Sequence, residues 1–286
     1  MNLLALYGLC IIGLVTAWLL GRRVRAWWKA RKRKALYRKP FPEQWQHILQ
    51  QHFALYRYLP ENLRQALHAR INYFIASKKF VARGDMLIDD EVRVNIAGQA
   101  CLLVLAEEGE IYPGFRTIMV YPDTFYSDTN QQDGAVVSHQ RRHRAGESWH
   151  RGPVILSWGD VLRGGANEDD GFNVVMHEFA HKLDEQNMAV NGQPLLREHS
   201  HYGEWVRILN SEYAAFLRRV ERRKNKVMDA YGAESPPEFF AVATESFFEK
   251  SIAMRDRLPV LYAQLQRFYQ LDPASWQDTT EKSHSE

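Results

Sequence analysis

Residues 173–186 read NVVMHEFAHKLDEQ, and this stretch carries the strongest signal in the 286-residue chain. His177 and His181 are four positions apart, so on a helix both imidazoles project from one face and can reach a single metal ion. Glu178 points about 100° away around the helix axis, where it can contact a water rather than the ion itself. The stretch predicts a buried helix, from about residue 171 to 186, that forms one wall of a metal site.

Zinc is the ion that this arrangement favours. Neutral imidazoles bind zinc well, and an open coordination position leaves a water whose pKa the ion lowers to about 7. The alternative is a helix with two ordinary histidines, because so short a motif also occurs by chance. Apolar residues at positions 174, 175, 179, 180 and 183 favour the metal site, since they supply the surface expected of a buried helix.

A third metal ligand has to come from another part of the chain. Glu238 is the best candidate, but the preceding Ser-Pro-Pro at residues 235–237 makes it equally well the glutamate of a helix capping box. Spacing alone leaves these two roles equally supported. Glu245, two turns later on nearly the same face, is the second candidate ligand, or a carboxylate that orients an imidazole.

Other acids and histidines rank lower. Asp184, one turn after the second histidine, fits either a carboxylate that orients a ligand or an ordinary solvated face. His199 and His201 follow a proline and have no helical placement. The histidines of the polar stretch 123–151 alternate with arginines that would repel a cation, which favours a solvated loop over a metal site; they are His139, His143 and His150.

The composition excludes several classes of protein. With 45% hydrophobic and 25% charged residues, the chain is not collagen-like, wholly disordered or a disulfide scaffold. The net charge of +3 hides an asymmetry, because ten basic residues and no acid lie at positions 22–39. The rest of the chain therefore has 27 basic and 34 acidic residues, or about −7. Two cysteines distant in sequence, Cys10 and Cys101, make a reducing compartment the default.

The N-terminal region predicts a membrane anchor. Residues 3–20 are uncharged, which is just enough helix to cross a hydrocarbon core, and the positive charge follows this stretch rather than preceding it as in a signal peptide. We expect a transmembrane anchor at residues 1–21 and a basic juxtamembrane segment at 22–40 that contacts inner-membrane lipid. The catalytic domain is then cytoplasmic. A buried helix in a cytoplasmic protein is the alternative, and no motif for nucleic-acid binding accompanies the basic run.

The remaining sequence predicts one α+β domain at residues 41–273 and a polar tail at 274–286. Helical spacing covers residues 42–56, 60–76, 204–224, 235–250 and 259–269, and β-rich runs cover 92–96, 100–106, 117–121 and 154–158. Helices before and after a group of strands favour α+β over a doubly wound sheet.

Three stretches together resemble the Mlc titration factor A family of zinc metallopeptidases, whose catalytic region is similar to that of anthrax lethal factor. They are HEFAHKLD at 177–184, Tyr-(six residues)-Glu-x-Phe-Ala at 231–241, and GESW…GPVILSW at 146–158. The resemblance covers nearly all of residues 41–273. It implies a zincin-like α+β fold with a small mixed sheet, in which strand 154–158 is an edge strand that pairs with an extended peptide.

The resemblance also assigns roles to single residues. It implies zinc on His177, His181 and Glu238, with Glu178 as general base and Tyr231 as a donor to the oxyanion. It favours an aminopeptidase-like enzyme that hydrolyses peptide bonds with a metal-activated water. The competing hypothesis is an interaction protein that sequesters a transcriptional regulator, with peptidase activity secondary. A membrane-surface adaptor that uses the basic segment alone is a weaker third hypothesis.

Overall fold

The computed structural model describes residues 3–107, 109–122, 152–187, 190–196 and 202–276. The chain divides into two compact units, Met1–Pro40 and Phe41–Glu286. The α-helices are α1 (Leu3–Tyr37), α2 (Glu43–His52), α3 (Glu61–Ser77), α4 (Asp90–Leu102), α5 (Trp158–Ala166), α6 (Val174–Asp184), α7 (Tyr202–Glu221), α8 (Pro236–Glu249), α9 (Ser251–Arg257) and α10 (Pro259–Tyr269). The strands are β1 (Lys79–Ala82), β2 (Thr117–Tyr121) and β3 (Val154–Ser157), and short 3-10 turns include Ala54–Tyr58, Glu185–Asn187 and Ala230–Ala233.

The first unit is built on the single helix α1. The uncharged residues 3–20 form its first half, and the basic residues from Arg22 onward form its second half. In the part of the chain that the structure describes, no helix combines the length and the apolar character needed to cross a membrane. The transmembrane anchor expected at residues 1–21 is not confirmed.

The second unit contains a small sheet, and helices precede and follow its strands in the sequence. The three described strands lie in the order β1-β2-β3 and are all parallel, with Ile118 of β2 paired to Phe80 and to Val154. Ile118 and Val120 are fully buried while their neighbours along β2 are half-buried, as expected for alternating side chains. The strands predicted at 117–121 and 154–158 are confirmed, β1 was not predicted, and the expected mixed sheet is parallel in the described residues.

The predicted strands at 92–96 and 100–106 are wrong, because residues 90–102 form α4 and a turn follows. Asp89 caps this helix by accepting a hydrogen bond from the backbone N–H of Val92 at 3.0 Å. Every residue from 94 to 102 is buried, so the helix has no polar face to show a period of 3.6 residues. A short apolar run without that period cannot be distinguished from a buried strand by its pattern.

Helix α5 directly follows β3 and precedes α6 in the chain. Two of its glycines allow it to pack closely against neighbouring backbone. Ser157 caps it by accepting from the N–H of Asp160. A Cβ at Gly164 would lie 3.0 Å from the Cα of Asn173, and a Cβ at Gly165 only 2.5 Å from the carbonyl oxygen of His52. The sequence analysis did not predict this helix, since nine residues with three glycines match a loop as well as a helix.

The C-terminal helices surround an aromatic cluster. Phe247 of α8 packs against Tyr262 and Tyr269 of α10, with ring centroids 5.1 and 5.5 Å apart. The helix predicted at 259–269 is confirmed at both ends. Ala274 and Trp276 are buried in the same core, so the packed body continues beyond residue 273, where we expected a polar tail to begin. Residues 277–286 lie outside the described part of the chain.

We predict that Gly165→Ala destabilises the fold by about 1–3 kcal/mol, because the added methyl group meets backbone rather than a flexible side chain. Gly203→Ala is the matched control, since Gly203 also lies in a helix and has open space around it. The control should change the free energy of unfolding by less than about 1 kcal/mol. Urea unfolding measures both; equal effects of the two substitutions would contradict the close approach of α5.

Candidate metal centre

Helix α6 is held in the core by its apolar residues. Asn173 caps its N-terminus by accepting from the backbone N–H of Met176 at 2.9 Å. Phe179 is fully buried and packs against the rings of Phe74, Tyr112 and Phe115, with centroids 4.8–5.7 Å apart. These contacts orient the opposite face of the helix, which carries both histidines, toward α8.

Three side chains converge at one point between α6 and α8. The Nε2 atom of His177 lies 2.9 Å from Oε2 of Glu238 and 3.2 Å from Nε2 of His181. One ligand atom from each of the three lies within 4.8 Å of the others, so the group could hold a metal ion. Two imidazole nitrogens and one carboxylate oxygen are a ligand set typical of zinc sites that keep an open coordination position.

Glu238 serves both as a helix residue and as part of this group. Its backbone N–H points to the side-chain oxygen of Ser235 at 3.4 Å, so the predicted N-cap is present. Its carboxylate does not turn back to the cap as a capping box requires; it faces His177 and His181, at 2.9 and 3.5 Å. The N-cap at Ser235 is therefore formed, whereas the capping box is not, because the carboxylate of Glu238 points to the histidines.

The two histidines also determine the charge of Glu238. Burial alone would raise the pKa of this carboxyl, but hydrogen bonds and charge from His177 and His181 outweigh it and hold the pKa well below its usual range. The carboxylate is thus ionised near neutral pH. Deprotonated carboxylates and neutral imidazoles are the forms that bind metal ions.

Glu245 contacts the other side of the His177 ring. Its Oε1 lies 2.6 Å from Nδ1 of His177, and its Oε2 accepts from the backbone N–H of Asn173 at 2.6 Å. An Nδ1–H donated to Glu245 leaves the lone pair of Nε2 directed at Glu238 and His181. Of the two roles considered for Glu245, its position matches the carboxylate that orients an imidazole.

A second layer of buried polar groups supports Glu245, and the sequence analysis missed it. The side-chain amide of Asn173 donates to the carbonyl of Gly164 and to Oε1 of Glu249, each at 3.0 Å. Glu249 is buried, and burial raises the pKa of its carboxyl well above the usual value despite the hydrogen bond from Asn173. Glu238, Glu245 and Glu249 are spaced by 7 and 4 residues, and this helical spacing was the signal available.

Tyr231 lies beside the ring of His177, and Glu178 is next to His177 in the sequence. Tyr231 is part of the 3-10 turn Ala230–Ala233, and its ring centroid is 5.9 Å from that of His177. The turn is attached at both ends: Asp229 accepts from the N–H of Tyr231 at 2.7 Å, and the hydroxyl of Tyr213 donates to the carbonyl of Ala233 at 3.1 Å. Glu178 follows His177 on α6 and is half-buried.

Asp184 fits neither of its two predicted roles. It is fully buried rather than solvated, and burial raises the pKa of its carboxyl. Its oxygens accept from the backbone N–H groups of Gly192 and Gln193 instead of from an imidazole. The other histidines considered as ligands lie outside the described residues; they are His139, His143, His150, His199 and His201.

The raised pKa of Glu249 predicts a dependence of stability on pH. A carboxyl whose pKa rises on folding binds its proton more tightly in the folded chain. It stabilises the fold below its ordinary pKa of 4.5, and that stability is lost as the pH increases through the folded value. Glu249→Gln keeps an oxygen for Asn173 but cannot ionise. We predict that its free energy of unfolding falls less steeply than that of the wild type as the pH increases above about 4.5.

Urea unfolding across this pH range measures the difference. Glu221→Gln is the control, because Glu221 is an exposed glutamate at the end of α7. Its free energy of unfolding, plotted against pH, should run parallel to that of the wild type, because all other titrating groups are common to the three proteins. A parallel curve for Glu249→Gln as well would contradict the prediction.

Known proteins share this chain's sequence over most of its length. A model of the family described as glucose-regulated metallo-peptidase M90 matches residues 25–270. An uncharacterised protein of Synechocystis is 42% identical over 248 residues, which are 86% of this chain and 90% of the relative. Proteins named Mlc titration factor A are 31% identical in Pectobacterium atrosepticum (77% of this chain, 85% of the relative) and 33% identical in Escherichia fergusonii (70% and 76%).

The family match spans α6, α8 and all three strands. The family match and the relatives confirm the resemblance to the Mlc titration factor A family, while the likeness to anthrax lethal factor stays a prediction. With a group that could hold a metal ion at the centre of the matched region, the chain belongs to the glucose-regulated metallo-peptidase M90 family, together with the proteins named Mlc titration factor A.

Proposed function

We propose that this protein is a zinc-dependent peptidase that hydrolyses peptide bonds, with short peptides as substrates. The observation that carries the proposal is the convergence of His177, His181 and Glu238 within 4.8 Å, in a chain of a metallopeptidase family. The donor atoms fit zinc, since two imidazoles and a carboxylate leave a fourth position for water or substrate. A structural zinc site would instead be closed by four protein ligands.

A bound zinc ion would act as a Lewis acid on the reacting carbonyl group and lower the pKa of a water beside it. The chain's own residues prepare the ligands for this ion. The contact with Glu245 favours the tautomer of His177 with its proton on Nδ1, which leaves the lone pair of Nε2 for the ion. The lowered pKa of Glu238 keeps its carboxylate ionised. Burial of His177 and Glu238 excludes water that would compete for hydrogen bonds with these two side chains.

Glu178 is the proposed general base, because it neighbours His177 on α6 but points away from the ligand face. It accepts a proton from the attacking water, whose oxygen bonds to the carbonyl carbon. When the C–N bond breaks, Glu178 passes this proton to the leaving amine. The phenol of Tyr231, close to the His177 ring, is proposed to donate to the oxyanion that forms at the carbonyl oxygen.

Strand β3 supports a peptide as the substrate. Among the described strands it lies at the edge of the sheet, paired on one side with β2. Its other side pairs with no described strand, and we propose that an extended peptide substrate pairs there. Cleavage next to a free amino terminus, as in an aminopeptidase, is supported by the family resemblance alone.

A second candidate role is binding of a transcriptional regulator. Its support is the name Mlc titration factor A, which several relatives carry. Hydrolysis is the primary proposal, because Glu178 stands beside the metal ligands and a protein that only sequesters a partner has no use for a base at that place. Both roles are compatible in one molecule.

We predict that Glu178→Gln retains bound zinc but lowers kcat/KM by roughly 10²- to 10⁴-fold, the usual contribution of a general base. Zinc is measured by elemental analysis of the purified protein. Activity is measured on aminoacyl nitroanilides and on their N-acetylated counterparts, which also tests the preference for a free amine. Glu204→Gln, at an exposed site on α7, is the matched control. Wild-type activity in Glu178→Gln would refute the role of Glu178 as general base.

A second pair of variants tests the third ligand. Glu238→Ala removes a proposed metal ligand, whereas Glu245→Ala removes a carboxylate that contacts the remote nitrogen of His177. We expect Glu238→Ala to lose zinc almost completely, and Glu245→Ala to weaken zinc affinity by about 10- to 100-fold. Competition with a chelator gives both dissociation constants, and the reverse order would overturn the choice of ligand.

A further inference from the structure

A short loop at residues 190–193 contacts both the end of α6 and the start of α8. Asp184 is the last residue of α6, one turn beyond His181. Its two carboxylate oxygens accept from the backbone N–H groups of Gly192 and Gln193, at 2.7 and 2.8 Å. Asn187 adds a hydrogen bond from its side-chain amide to the carbonyl of Gln193 at 2.6 Å. The loop is thus held to the helix that carries both histidines.

The same loop lies directly against the helix that carries Glu238. Gly192 has a φ of +73°, and a Cβ added to it would lie 2.3 Å from the carbonyl oxygen of Pro236 and 2.6 Å from its carbonyl carbon. Only a residue without a side chain permits this approach. Pro236 is the first residue of α8, two positions before Glu238. The packing of Gly192 therefore determines where the first turn of α8 lies.

Helix α8 is attached to α6 at a second place, on the other side of Glu238. Seven residues later, Glu245 contacts both the ring of His177 and the backbone of Asn173. The carboxylate of Glu238 thus lies between two fixed points, one made by Glu245 and one made by Gly192. Loss of either point would let the first turn of α8 move relative to the two histidines.

We propose that Asp184 and Gly192 are positioning residues that set the distance between the carboxylate of Glu238 and the two imidazoles. They do so through the loop at 190–193, without contacting the ion. A site with three protein ligands binds a divalent ion tightly only when all three meet at the right distances. This inference rests on the proposed metal site.

The test uses full-length protein with Zn²⁺ and Co²⁺ as probes. Gly192→Ala places a methyl group against the Pro236 carbonyl, and Asp184→Asn keeps the size of the side chain but can accept only one of its two hydrogen bonds. We expect each to raise the Kd for Zn²⁺ by about 10- to 100-fold. We also expect a changed visible absorption spectrum of the Co²⁺ form, which reports coordination geometry and does not respond to a mere loss of stability.

Gly84→Ala is the matched control. Gly84 also has a positive φ, +65°, but a Cβ there makes an ordinary contact of 3.5 Å with Pro122. This control should keep the wild-type Kd and spectrum. It separates the effect of placing alanine at a positive φ from the effect of a methyl group in contact with α8. If Gly192→Ala does not fold, the Kd and the Co²⁺ spectrum of Asp184→Asn alone decide whether the loop positions Glu238.

Two results have distinct meanings. A wild-type Kd and a wild-type Co²⁺ spectrum in the variants would overturn the positioning role, whatever happens to their stability. Failure of the wild-type protein to bind either ion would instead overturn the proposed function and with it the premise of this inference.

Discussion

Helix α6 has to place polar, titratable side chains in a region from which water is almost excluded. A buried polar group destabilises a fold unless it has a hydrogen-bond partner, and a buried charge destabilises it more. The protein meets this constraint with partners from α8: Glu238 and Glu245 contact the two ring nitrogens of His177 from opposite sides. The packing of α6 against α8, and the residues that cap both helices, follow from this requirement.

The capping residues have more than a local role. Asn173 caps the N-terminus of α6. Its side chain also donates to Glu249 of α8, and its backbone N–H donates to Glu245. Ser235 starts α8, and the turn that it caps directs Glu238 at the histidines. Because buried hydrogen bonds strengthen one another in surroundings of low dielectric constant, the two helix starts form one network rather than two separate caps.

The sequence predicted the features that rest on regular spacing. The pair His177 and His181, and the helix at 259–269, follow from periods that any buried or amphipathic helix must show. Features without such a period were misassigned. Helix α4 has no exposed polar face over residues 94–102. Asp184 was expected to contact solvent or an imidazole, although its partners are backbone groups of a loop eight and nine residues on. Backbone partners leave no mark in the side-chain pattern, so only the folded chain reveals them.

The two histidines differ in their access to water, and this difference gives the site a direction. The side chain of His177 is 2% exposed, that of Glu238 is 9% exposed and that of His181 is 17% exposed. Among these three described side chains, solvent therefore has an opening at His181, in the second turn of α6. An ion could exchange with a chelator through that opening while α6 and α8 stay packed. Occupancy of the site would then follow the free-ion concentration around the folded protein rather than being decided once during folding.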